Sequence, residues 1–299
     1  MPLYRRPDWA SFFTDSQYSE FIQVLEDRLQ ALGYLYDIQP EVGMFRLSLN
    51  SDRDVAFGMA NLAQMCNLHP REEWPQLIDE FLVNLIRTAT EPVKAPTFEE
   101  AKAILKLRLF PLDLGDAVKL YTFPLNDQFK SALALDYPDR VASISSETVQ
   151  EWGVSADELF DIGMQNVWDE GRPDEQEIEI PDLGKIQVLT GDSFFTATQA
   201  LTLDRYLIPM PEQGALVAVP SRHSVLYVPL TSQKRAHMLN GLQWIAGRMY
   251  EEGPGSISPR VFWWIDGAMI AIDLEDTTEG MILRGPEEFQ TAFFSLPPE

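Results

Sequence analysis

Cysteine, histidine and basic side chains are all scarce in this chain. One cysteine among 299 residues, Cys66, excludes an intramolecular disulfide framework. Three histidines, His69, His223 and His237, leave little material for a histidine-rich metal centre, and no metal is expected. Lys and Arg total 23 against 46 Asp and Glu, a formal charge of −23. Nucleic acid and anionic membrane surfaces would therefore be repelled over most of the surface. The longest wholly apolar runs, such as Gly214 to Pro220 and Val261 to Ile265, fall far short of the roughly 20 residues of a spanning helix. Met1 to Asp15 interleaves Arg5, Arg6 and Asp8 with aromatics in place of an apolar leader, so a cytoplasmic protein is expected. Neither a Gly-x-Gly-x-x-Gly sequence nor a phosphate-binding loop sequence occurs, and no cofactor is expected.

What the chain does contain is a globular composition, 45% hydrophobic and 11% aromatic, at a length that suggests two domains. From Ser16, Phe21, Val24, Leu25, Leu29 and Leu32 recur at spacings of three and four, an amphipathic helix with Ser16 or Ser19 as its cap and Gly33 as its stop. Tyr34 to Ile38 and Met44 to Leu49 read as a hairpin about Pro40 and Gly43. Helices over Val55 to Cys66 and Glu72 to Ala89 complete an α-β-β-α module over residues 1–92. Pro92 and Pro96 mark Thr90 to Pro96 as a linker.

A larger module over residues 97–299 follows. Thr97 to Glu100 has capping-box spacing and opens a short helix. Strands are expected at Leu107 to Leu114, Val118 to Phe123, Leu133 to Asp136 and Val141 to Ile144, then a helix over Ser155 to Trp168. Asp169 to Asp182 reads as an acidic loop with a short strand at Glu177 to Ile180. Further strands at Lys185 to Leu189, Ala215 to Val219 and Val225 to Val228 precede a helix over Ser232 to Tyr250. Val261 to Ile265 and Met269 to Leu274 flank Asp266-Gly267, the strongest hairpin signal in the chain. Short connections and blocked helices predict an α+β fold of two modules, with mainly antiparallel sheets and helices packed on one face.

Four places invite chemistry. Gly191-Asp192-Ser193-Phe194, directly after a strand, is similar to the nucleophile turn of lipase-like hydrolases of the GDSL type, although here it lies far from the N-terminus and no Asp-x-x-His follows. Ser193 would need a base, for which His223 is favoured over His237 and His69, with Arg222 holding developing negative charge. The plainer role for Asp192 or Ser193 is a helix cap. Cys66 and His69, three apart, could pair as thiol and base, against the usual reading of a buried cysteine as a small hydrophobe. In Val219-Pro220-Ser221-Arg222-His223, Pro220 interrupts a strand and leaves Arg222 and His223 on a turn, where Arg222 would tie the hairpin down through a carboxylate. Trp263 and Trp264, in the aromatic run Val261 to Ile265, are of the type that anchors interfaces, and core packing explains them equally well.

Leu107-Arg108-Leu109-Phe110-Pro111, Glu151-Trp152-Gly153-Val154-Ser155 with Glu158-Leu159 and Asn166, Asp192-Ser193-Phe194-Phe195-Thr196-Ala197, and Val219-Pro220-Ser221-Arg222 occur in the order of similar blocks in the YtpQ-like family of uncharacterised bacterial proteins, which the segment from Leu107 to Val228 resembles. His223 stands where that family usually has an acidic residue. The resemblance implies a bacterial, cytosolic α+β protein and assigns no residue a catalytic role. A non-enzymatic protein-binding or regulatory function, with an acidic surface suited to a basic partner, ranks above a serine-dependent esterase-like hydrolase built on Ser193 and His223.

Overall fold

The computed structural model describes residues 3–50, 53–90, 96–112, 120–138, 140–277 and 280–298. The expected linker, Thr90 to Pro96, falls mainly outside them, as do Val118 in the expected strand and Asp139 in the expected turn. Two compact units emerge, Met1–Lys94 with Glu251–Pro254, and Ala95–Tyr250 with Gly255–Glu299.

The first unit runs α1 (Asp15–Leu32), β1 (Leu35–Gln39), β2 (Met44–Asn50), β3 (Arg53–Gly58), α2 (Ala60–Asn67) and α3 (Trp74–Thr90). Its cap is Thr14, earlier than either serine considered: the Thr14 hydroxyl accepts from the Gln17 N–H while the Gln17 side chain accepts from the Thr14 N–H. Ser19 is buried instead, and its hydroxyl accepts from the Leu3 N–H at 2.9 Å. Gly33 ends the helix at φ 74°. The apolar stripe of Tyr18, Phe21, Ile22, Leu25 and Leu29 meets Phe45 and Leu47 of the sheet and Trp74, Ile78 and Leu82 of α3 in one core. The β1–β2 hairpin forms as expected. Val55, however, lies in a third antiparallel strand, not in a helix. Asp54 to Phe57 alternates exposed with half-buried positions, the period of a strand, and the helical period starts only at Ala60.

The second unit holds two sheets. In the smaller, β6 (Phe129–Tyr137) pairs antiparallel with β4 (Leu105–Pro111), β5 (Thr122–Pro124) and β7 (Arg140–Ser143). A short helix α4 (Phe98–Ala101) precedes it behind the Thr97–Glu100 capping box. An unexpected helix α5 (Ser146–Trp152), capped by Ser145, follows it, and then α6 (Ala156–Asp169), capped by Ser155. Helix α6 lies directly on β4, where a Cβ added at Gly163 would come within 2.9 Å of Leu107.

The larger sheet has seven antiparallel strands: β8 (Asp174–Ile180), β9 (Gly184–Thr190), β10 (Ala215–Ser221), β11 (Ser224–Pro229), β12 (Val261–Ile265), β13 (Ala268–Thr277) and β14 (Gly280–Arg284), in the order β14-β13-β12-β10-β11-β9-β8. Helices α7 (Gln233–Ala236), α8 (Leu239–Glu252) and α9 (Glu287–Ser295) complete the unit. Leu216, Leu226 and Trp263 face these helices, meeting Leu239, Leu242 and Phe289. Val217, Phe262 and Trp264 face the opposite way, toward a 3-10 helix (Thr196–Arg205) and Phe129 of the smaller sheet. The fold is α+β, with antiparallel sheets, as the sequence predicts. Two local readings need correction. Residues 169–182 are not simply a loop, because β8 spans seven of them and pairs β9 from Asp174↔Thr190 to Ile180↔Gly184. The single helix expected over Ser232 to Tyr250 is broken at His237 and Met238. The Asp266-Gly267 hairpin forms with φ of 47° and 81°, the twisted turn such a pair favours. No helix among the described residues is long and apolar enough to cross a membrane.

Candidate functional site

Three segments distant in sequence meet around the ring of Phe194. Arg108 comes from the middle of β4, whose start is pinned by Asn166 of α6 donating to the Lys102 and Leu105 carbonyls at 2.8 and 2.7 Å. Phe194 sits on the connection after β9. Arg222 and His223 form the turn between β10 and β11, at a break in the ladder where Pro220 intervenes. Backbone bonds lock the two loops together: the Gly191 N–H donates to the His223 carbonyl at 3.2 Å, and the Ala197 N–H to the Arg222 carbonyl at 3.0 Å.

Phe194 is 39% exposed. The Arg222 guanidinium carbon lies 4.4 Å from its ring centre and that of Arg108 5.2 Å, with Arg108 also 4.6 Å from the Phe110 ring. Arg222 Nε donates to His223 Nε2 at 2.8 Å, and His223 Nδ1 donates to the Gly191 carbonyl at 3.0 Å. One neutral tautomer, protonated on Nδ1, satisfies both bonds. Burial, then the charge of Arg222, holds the imidazole below its ordinary 6.5. Burial and the neighbouring Arg222 push Arg108 down to about 10, and burial lowers Arg222.

Ser193 has a different set of partners. Its hydroxyl lies 2.9 Å from both Glu170 carboxylate oxygens and accepts the Phe195 N–H at 3.1 Å. Lys106 stands behind Glu170 at 3.3 Å and binds Asp136 at 2.7 Å. Ser193 thus caps the turn into the 3-10 helix and ties it to the end of α6. It borders a cleft of about 200 Å³ shared with Glu170, Arg172, Asp174, Asp192 and Gln199. The expected Ser193–His223 relay is not made, because the acceptor nitrogen that would take the serine proton already receives the Arg222 guanidinium. Nor does Arg222 tie the hairpin to a carboxylate; among the described residues its side-chain partners are His223 and Phe194.

The expected interface anchors are core residues. Successive positions on a central strand point to opposite faces, which places Trp263, 6% exposed, against the helices and Trp264, 2% exposed, in the other layer. Cys66 is fully buried, with burial pushing its thiol up to about 12, and His69 bonds Glu73, so no thiol–imidazole pair exists. His237 packs on Phe293. Among the described residues no three His, Cys, Asp or Glu side chains converge to hold a metal. Sequence reasoning passed over Arg108 and Phe194 as site residues; the available signal was the alternation of Lys106 and Arg108 with Leu105, Leu107 and Leu109. No family model, no curated protein and no solved structure matches the chain, and the resemblance to the YtpQ-like family rests on its four sequence blocks.

Proposed function

We propose that the chain is a non-enzymatic protein-binding protein that accepts a basic, extended segment along the edge strand β8. The observation that carries this reading is the form of that edge. β8 is hydrogen-bonded to β9 on one side only, runs seven residues without a bulge, and exposes Asp174, Glu175, Gln176, Glu177 and Glu179. Edges are commonly protected by shortness, proline or bulges. This one is protected by charge alone, even with Arg172 on Glu175 and Lys185 on Glu177. Charge is a selective guard: it repels a second copy of the same strand and admits a basic one, whose main chain would extend the sheet. The net charge of −23 steers such a partner from a distance. That His223 has both ring nitrogens engaged favours binding over hydrolysis.

The test is calorimetric titration of the full chain with a short alternating Lys-Val peptide at low and high salt, alongside amide exchange. Binding that weakens with salt, slows exchange in β8 and disappears in Glu175→Lys/Glu179→Lys supports the reading. Absence of binding at low salt, or binding without β8 protection, overturns it.

A further inference from the structure

We infer that Arg108, Arg222 and Phe194 form a binding site for a phosphate monoester whose organic part is apolar or aromatic. The first ground is the missing counter-ion. Carboxylates outnumber basic residues 46 to 23, and basic side chains elsewhere use them: Arg28 pairs with Asp79, Arg71 with Glu20, Lys106 with Asp136 and Arg172 with Glu175. Arg108 and Arg222 make no carboxylate pair among the described residues. Asp192 is near enough for its charge to act on His223, yet it bonds neither arginine.

The second ground is unused donor capacity. Arg108 Nε is buried with no hydrogen-bond partner, a condition that is costly unless something else fills it. Arg222 spends its Nε–H on His223, and its terminal N–H groups have no acceptor among the described residues. Both guanidiniums share one ring, so they cannot be farther apart than the 4.4 and 5.2 Å ring contacts laid end to end. Two like charges so placed repel each other, and an anion between them removes that repulsion.

The chemistry of the donors selects the anion. A carboxylate brings a single negative charge to two guanidiniums. A phosphate monoester carries three oxygens and a charge of about −1.5 to −2 near neutrality, enough for both. The partly exposed Phe194 ring offers apolar contact to the rest of the ligand. His223 is a positioning residue, since its lone pair orients Arg222 while its other nitrogen is anchored to the Gly191 carbonyl.

Phenyl phosphate and inorganic phosphate, titrated by calorimetry into the full chain at constant ionic strength, test this. Saturable binding of phenyl phosphate, tighter than inorganic phosphate and much tighter than benzoate, is expected. Arg222→Gln and Arg108→Gln should each weaken it about tenfold or more, and Arg222→Lys, which keeps the charge and loses the fork, should weaken it as well. A variant-free arm guards against misfolding: phenyl phosphate should slow phenylglyoxal modification of Arg222 in the wild-type chain, read by peptide mass. A phosphotyrosyl peptide binding no tighter than phenyl phosphate fits a small-molecule site. No saturable binding of either phosphate, affinity unchanged in a folded Arg222→Gln, or no protection of Arg222 would overturn the inference.

Discussion

Trp263→Phe should destabilise the second unit by about 2 kcal/mol more than Trp264→Phe, although the two residues are adjacent and both buried. Each substitution deletes about three ring atoms, which by transfer and cavity terms is worth about 2–3 kcal/mol. The indole nitrogens set the two apart. Trp263 Nε1 donates to the Gln213 carbonyl at 2.9 Å, and losing that bond adds about 0.5–1.5 kcal/mol. Trp264 Nε1 is buried with no acceptor, and removing an unsatisfied donor returns about 1–3 kcal/mol. Trp263→Phe is therefore expected near 3 kcal/mol and Trp264→Phe near 1 kcal/mol. Denaturant unfolding followed by far-ultraviolet circular dichroism, with the slope against denaturant unchanged between proteins, gives the comparison directly. Equal losses or the reverse order would refute the assignment of hydrogen bonds. No loss in either variant would restore the two tryptophans to the surface and refute the packing.

Cys66 should resist a thiol reagent in the native protein at mildly alkaline pH and react at once in denaturant, because it is fully buried and its thiol is pushed up to about 12; rapid native labelling would contradict the packing of α2. His223 should make stability pH-dependent. Its folded pKa lies below 6.5, so as pH falls the unfolded chain takes the proton first, and the contribution present above about 6.5 is lost as pH drops below it toward the folded value. Unfolding free energies on either side of pH 6.5 should show a slope for wild type that is shallower in His223→Gln, and identical slopes would show that the imidazole is not held neutral.

Local signals were legible wherever the deciding physics is local. Thr97 and Ser155 cap the helices their spacing announces, and Asp266-Gly267 makes its hairpin because few other pairs tolerate two positive φ angles. Misreadings arose where tertiary context decides. The glutamates of β8 look like a solvated loop because an edge strand with one paired side needs little apolar content. Val55 and Phe57 are too few, beside the helical run that follows, to announce a strand of their own. The unbroken run from Val261 to Ile265 left interface anchors and core packing equally open, and a strand covered on both faces, as this one is, has no reason to alternate. The arginine cluster was beyond reach for another reason. Arg108, Phe194 and Arg222 come from separate strands and loops, and no periodicity relates residues that only the pairing of whole sheets brings together.

Strand β10 lies between β11 and β12, and all seven of its residues are buried. β11 is its immediate neighbour in sequence, but β12 is translated only after α7 and α8. On the ribosome, then, β8 to β11 can assemble in the order β8-β9-β11-β10 with β10 at the bare margin, a strand apolar from Ala215 to Pro220 with one row of backbone groups unfilled. Vectorial synthesis leaves the sheet open at its most adhesive line until Val261 emerges. The interval between Pro229 and Val261 is consequently the period in which the nascent chain is most exposed to mispairing, and the arrival of Val261 to Ile265 is the event that ends it.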